Sequence, residues 1–164
     1  MRKFILIAAL ILALALISIY YFGFQTYFIE DQVNEELPQM TPNGQELTSK
    51  EPKIIKQGNF IDSDFFHKGS GQAYILEYPG GRKILRFENF ETTNGPDLYV
   101  YLSSSAAPTG NLKSLGEFID LGQLKGNIGD QNYELPQNAS INDLNSVIIW
   151  CKKFGALFPY SVLK

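Results

Sequence analysis

The chain has 164 residues, 45% hydrophobic and 13% aromatic, with a formal charge of −3 and one cysteine. That length suits one ordinary domain with additions. The charge offers no basic stripe for nucleic acid, and a lone cysteine excludes an internal disulfide or a Cys-x-x-Cys pair.

The apolar residues are unevenly spread. An uncharged block runs from Phe4 to Phe24, and as a helix it would be about 31 Å long, the thickness of a bilayer's hydrocarbon layer. It lacks the polar stripe of a soluble core helix. It also exceeds the roughly 7–15 residue apolar core typical of a signal peptide, and it ends in Tyr20, Tyr21, Phe22 and Phe24 rather than in small residues. Bulky aromatics suit a membrane interface better than a cleavage pocket. The expectation is an uncleaved single-pass anchor over residues 1–24. The cysteine is Cys151, far from the block, so a lipid-attached form is excluded. Arg2 and Lys3 precede the block and Glu30, Asp31, Glu35 and Glu36 follow it, which places the N-terminus in the cytoplasm and the rest outside.

Residues 25–52 read as an acidic, flexible stalk. Glu30, Asp31, Glu35, Glu36, Glu46 and Glu51 face only Lys50, and Pro38, Pro42, Asn43-Gly44 and Pro52 break any periodicity. As a coil it would span roughly 30 Å. A short helix over Tyr27–Leu37, near the headgroups, is the other option.

From residue 53 short aromatic and β-branched runs alternate with Gly, Asn, Asp and Pro clusters. Gly58–Asp62 leads into a loop through Gly71. Gln72–Tyr78 and Arg82–Phe90 read as a hairpin around Pro79-Gly80-Gly81, and Leu98–Leu102, Phe118–Leu121 and Ser146–Lys152 as further strands. Leu124–Tyr133 is punctuated by glycine, Asn138–Asn145 has room for one helical turn, and Phe154–Leu163 closes the domain. Short strands without long amphipathic helices predict an all-β domain over residues 53–164, an antiparallel sandwich or barrel.

Chemistry-bearing residues are few. In a strand, Val147, Ile149 and Cys151 share one face and Ile148, Trp150 and Lys152 the other. Cys151 then has two readings. It is a small buried hydrophobe, or it is a thiol at a strand end whose pKa Lys153 lowers. Asn94-Gly95-Pro96-Asp97 and Lys125-Gly126-Asn127-Ile128-Gly129-Asp130 could line one polar pocket. Asp97, Asn127 and Asp130 there offer either calcium ligands or ordinary turn hydrogen bonds, and Lys125 could pair with Asp97 or Asp130. His67 is the only histidine, set in a loop. One histidine and one cysteine cannot build a blue-copper site or structural zinc. Of the redox cofactors, the inventory leaves open a haem on Cys151, alone or with His67, or shared across a dimer. No hydrolytic, P-loop or dinucleotide motif occurs, so no independent catalytic activity is expected. Asn138-Ala139-Ser140 is a glycosylation sequon.

Three motifs agree in order with one family. Thr93-Asn94-Gly95-Pro96-Asp97-Leu98-Tyr99-Val100-Tyr101-Leu102, Leu121-Gly122-Gln123-Leu124-Lys125-Gly126-Asn127-Ile128-Gly129-Asp130-Gln131-Asn132-Tyr133, and Val147-Ile148-Ile149-Trp150-Cys151-Lys152 resemble the DM13 domain. Gly58-Asn59-Phe60, Phe66-His67-Lys68-Gly69-Ser70-Gly71 and Arg86-Phe87-Glu88-Asn89-Phe90 fit too. The resemblance covers about residues 56–163. It implies a β-rich extracytoplasmic module with a role in electron transfer, a role that rests in the family on one cysteine acting as a bare thiol or cofactor ligand. Here that residue is Cys151, and Asn94, Gly95, Pro96, Asp97, Lys125, Gly126, Asn127, Asp130, Tyr133 and Trp150 are candidates to line a site. The alternative is a non-catalytic module that binds a cell-surface protein or glycan, with Tyr99 and Tyr101 on an exposed outer face.

Overall fold

The computed structural model describes residues 2–22, 29–38 and 52–164. Helix α1 (Arg2–Phe22) contains neither proline nor glycine and is rich in Ala, Leu and Ile. Its side chains through Tyr21 are exposed all round, and its length and composition suffice to cross a membrane.

The domain is one antiparallel sheet of eight strands among the described residues. They are β1 (Lys53–Ile61), β2 (Gly69–Glu77), β3 (Lys83–Thr92), β4 (Leu98–Ser103), β5 (Phe118–Gln123), β6 (Gln131–Glu134), β7 (Ser146–Cys151) and β8 (Ala156–Val162). The order β5-β4-β7-β8-β1-β2-β3-β6 curls into a nearly closed barrel, so the expected antiparallel β class is the one observed. β1 makes the corner. Its first part pairs with β2, and Phe60 and Ile61 pair with Ser161 and Tyr160 of β8. β5 and β6, at the two ends of the order, leave a seam.

Two strands were not legible as strands. β1 is exposed along most of its length, so it carries no clean apolar alternation. β6 has four residues, Gln-Asn-Tyr-Glu, and lies inside the glycine-punctuated stretch. The helical turn expected in 138–145 is a 3-10 turn at Ile141–Asp143.

The interior is built from alternate residues of the central strands. Leu85 and Phe87 of β3, Leu98, Val100 and Leu102 of β4, and Val147, Ile149 and Cys151 of β7 all lie in one buried cluster. Phe60, Phe87 and Phe90 meet there with ring centroids 4.7–4.9 Å apart, an aromatic arrangement that adds about 0.5–1.5 kcal/mol per pair to the burial itself. The opposite rows of β4 and β7 form a second, outer cluster of Tyr101, Leu115, Ile148, Trp150 and Leu157, with Tyr99 and Tyr160 packed on it. Tyr101 stacks on Phe118 at 4.5 Å and is only 3% exposed. The outer face expected to present Tyr99 and Tyr101 is therefore covered, because the 3-10 turn at Leu112–Leu115 and β5 fold over it.

Residues 29–38 are extended and seated on the domain, which corrects the helical option for the described part of that segment. Gln32 pairs in parallel with Ile128. The Val33 N–H donates to the Ile128 carbonyl at 2.9 Å, the Glu35 N–H to the Asp130 carbonyl at 2.9 Å, and the Ile128 N–H to the Asp31 carbonyl at 3.2 Å. This strap lies along the β5–β6 connection, at the seam. Residues 23–28 and 39–51 lie outside the described residues, as does Met40.

Candidate functional site

The β3–β4 and β5–β6 connections meet at one end of the barrel. The Leu124 N–H donates to the Leu98 carbonyl at 2.8 Å, that of Thr92 to Asn127 at 2.9 Å, and that of Gly129 to Phe90 at 2.7 Å. Between the two connections lies a cavity of about 170 Å³ lined by Asn94, Gly95, Pro96, Asp97, Lys125, Gly126 and Asn127, with Ile29 and Asp31 of the strap on its rim. Seven of the residues singled out in the sequence are thus brought together.

Their side chains are largely committed. Asn94 donates through Nδ2 to the Ile29 carbonyl at 2.9 Å and accepts from the Gly95 N–H at 2.8 Å. The amide of Asn127 accepts from the Asp31 N–H at 2.6 Å and donates to the Thr92 carbonyl at 3.2 Å. Only the Asn94–Gly95 contact is local; the other three join segments 35 to 96 residues apart, so these asparagines tie the strap and β3 to the cavity's end rather than merely shaping their own turns. Lys125 pairs with neither Asp97 nor Asp130. Its ammonium lies 2.7 Å from Glu35 Oε1 and 2.9 Å from Oε2, because the strap delivers a carboxylate to it.

Asp130 and Tyr133 lie outside this cavity's lining and hold the loop from behind. Asp130 Oδ2 takes a hydrogen bond from Arg86 Nη2, and its Oδ1 accepts from the Asn89 N–H at 2.9 Å. Arg86 is 5% exposed. It also donates to the Glu35 carbonyl at 2.6 Å and to Asn132 Oδ1 at 3.2 Å, so a buried guanidinium ties together β3, β6 and the strap. The Tyr133 hydroxyl donates to Gln131 Oε1 at 2.7 Å and accepts from the Lys125 N–H at 3.1 Å, while Gln131 Nε2 donates to the Gly126 carbonyl at 2.7 Å. Burial raises the Tyr133 phenol far above its ordinary value. Arg86, Gln131 and Glu35 are the residues that sequence reasoning missed. The available signal was an arginine inside an otherwise apolar strand.

Trp150 belongs to the outer cluster, away from Cys151. Its neighbour Lys152 sits 3.3 Å above the centre of the Tyr99 ring and pairs with Asp120 at 2.7 Å. The hydrogen bond to Asp120 holds the Lys152 ammonium above its usual range.

Cys151 ends β7, in register with Leu98 on one side and Ala156 on the other. It is fully buried. Burial raises its thiol pKa and the Asp97 carboxylate adds to this; the backbone N–H groups of Phe154, Lys153 and Asp97 act the other way but do not prevail. The expectation that Lys153 would lower the pKa fails for a geometric reason. The strand stops at Cys151 and the chain turns, so the Lys153 ammonium points away to the carbonyl of Tyr21. Leu98, the register partner of Cys151, lines the cavity, so the cysteine lies in the wall just behind it. A sulfur with no accessible surface has no open axial approach, so a haem on Cys151 does not fit this arrangement.

His67 is placed apart. Its Nδ1 lies 2.7 Å from Asp64 Oδ2, and its ring packs against that of Phe158 at 4.2 Å, tilted by 50°. The hydrogen bond to His67 holds the Asp64 carboxyl below the usual carboxylate range.

The family model described as Electron transfer DM13 matches residues 59–163, more than half of the chain. No curated protein and no solved structure among those compared matches it.

Proposed function

The chain belongs to the DM13 family, and from that premise we propose that it is a membrane-tethered, extracytoplasmic module serving electron transfer, with Cys151 acting from a buried position. The family's description supports the redox role in general. The uninterrupted apolar helix ending in Tyr20, Tyr21 and Phe22 supports the tether, and the charge asymmetry about it supports the outward placement.

The observation that carries the proposal is the place of Cys151 at the end of β7, in register with Leu98, which lines the polar cavity. Thiol–disulfide exchange needs a thiolate and an open line of attack. Here the sulfur has neither, since burial favours the neutral thiol and encloses it. If the loop at Asn94–Asp97 opened, the backbone N–H groups of Phe154 and Lys153, which act to lower the thiol pKa, would remain to stabilise a thiolate. Cys151 is then a guarded thiol, silent in the closed barrel and reachable only through that loop. The test is the alkylation rate of Cys151 in the intact chain across pH, native and denatured. Slow native labelling that rises above the ordinary thiol range of about pH 8.5 is expected. Fast native labelling with an apparent pKa well below that value would sink the guarded state.

The second reading is a non-catalytic module that binds a cell-surface protein or glycan, in which Cys151 is core packing alone. The complete burial of the sulfur favours it. The readings separate on Cys151→Ala. The guarded thiol predicts slow reaction of the native chain with an added aromatic disulfide, forming a mixed disulfide and releasing the probe's thiolate, and none in Cys151→Ala; a packing role predicts that reaction only after denaturation.

A further inference from the structure

Three connections converge at the end of the barrel where the strap begins. Ser63 Oγ in the β1–β2 connection donates to the Leu157 carbonyl at 2.8 Å. The Thr93 N–H in the β3–β4 connection donates to the Lys68 carbonyl at 3.1 Å, and the Lys152 N–H in the β7–β8 turn to the Asp97 carbonyl at 3.0 Å. Ile29 is pinned at this same end by Asn94. Only residues 23–28 separate it from Phe22 at the end of α1, a link that reaches about 25 Å at most. Lys153 reaches the carbonyl of Tyr21 and lies 5.4 Å from the centre of its ring. The covalent connection and this contact both set this end of the barrel toward the end of the helix.

What that end presents is unusual for a soluble surface. Phe65 and Phe66 are 79% and 73% exposed, more than any other large hydrophobic side chain described in the domain, and Phe154 in the β7–β8 turn is 45% exposed. The two phenylalanines stand edge to face at 5.3 Å, on a loop whose backbone is fixed by Asp64 accepting from the N–H groups of Phe66 and His67 at 2.7 and 2.8 Å. Lys68 and Lys153 flank them in the connections. Of the loop's acids, Asp62 pairs with Lys68 at 2.9 Å and Asp64 Oδ2 lies 2.7 Å from His67 Nδ1. Exposed rings braced on a rigid turn, with long basic side chains beside them and both loop acids hydrogen-bonded, match the chemistry of a bilayer interface.

We infer that this end of the barrel rests on the membrane, with Phe65 and Phe66 set among the headgroups of the leaflet from which α1 emerges. The inference rests on reading α1 as an anchor. The lipid is chosen over a protein partner because the short link and the pinned Ile29 hold the rings near the bilayer while the strap is seated.

The test uses the full chain in nanodiscs whose lipids carry a nitroxide close to the headgroup. Phe65→Trp and Phe66→Trp each add a fluorescent reporter to the parent, which has Trp150 alone, and Gln137→Trp adds one beyond β6 at the opposite end. Several-fold stronger quenching of the added indole in Phe65→Trp and Phe66→Trp than in Gln137→Trp is expected. Equal, weak quenching in a chain that resists alkaline extraction would overturn the inference while leaving the anchor intact. Release of the chain by alkali would remove the anchor reading, and the inference with it.

Discussion

Two connections at the same end of the barrel solve opposite problems. The β5–β6 connection accepts another stretch of chain along its backbone, and it can do so because Gly126 and Gly129 have no side chain there. A Cβ on Gly126 would lie 2.4 Å from the Asp31 carbonyl oxygen, and one on Gly129 2.1 Å from that of Val33. The β1–β2 connection pushes two phenylalanines outward instead. A glycine-bearing polar motif thus marks a surface already used within the molecule, whereas an aromatic pair on a tight turn marks one still to be used.

The strongest way to break this contrast is at Gly129, whose φ of +101° is itself unfavourable for any other residue. Gly129→Ala should lower stability by about 3 kcal/mol in denaturant unfolding of the full chain in detergent micelles. Because Gly126→Ala acts on the same strap, the double variant should cost less than the sum of the singles. Additive losses would mean that the strap is not their common target. Arg86→Met should follow at about 2–3 kcal/mol, since it leaves Asp130 and the Glu35 carbonyl without their buried donor.

Cys151→Ala should cost about 1–2 kcal/mol by leaving a small core void. It also carries a pH signature. Burial raises the folded thiol's pKa above the unfolded value, so the native state holds its proton longer and stability falls as pH rises past about 8.5. The alkaline loss should be smaller in Cys151→Ala, by an amount that equilibrium unfolding at about pH 7 and pH 10, either side of that thiol range, would reveal. Glu35→Gln should cost about 0.5–1 kcal/mol, because its contact with Lys125 is partly exposed. Smallest is Phe65→Ser, expected to change stability by less than about 0.5 kcal/mol; a larger loss would show that the ring is packed within the domain.

Most of the fold was legible because alternation reports burial on one face. The strands containing Leu85 and Phe87, Val100 and Leu102, and Val147 and Ile149 followed that rule, and Cys151 fell on the inner row with them. Ends and edges were less legible. β2 begins at Gly69 rather than Gln72 because the Gly-Ser-Gly segment pairs through its backbone alone. The polar cavity was anticipated from two turn-forming motifs. The strap was not, because a parallel contact made by main-chain groups leaves no period in the acidic sequence that makes it. Nor could alternation foresee Tyr101, whose outward-facing ring is covered by a connection as well as by an edge strand.

The strap also determines how the molecule bears force. It runs from Ile29, close in sequence to the helix end, along the seam, and its bonds at Asp31, Val33 and Glu35 lie side by side along one line. Were α1 held in a membrane, a pull on it would load these bonds before β1, which follows them in the chain. Their release would free the whole stretch between α1 and β1, and the barrel would move away from the helix still folded. The seam would then work as a latch, setting one reach when fastened and a longer one when released.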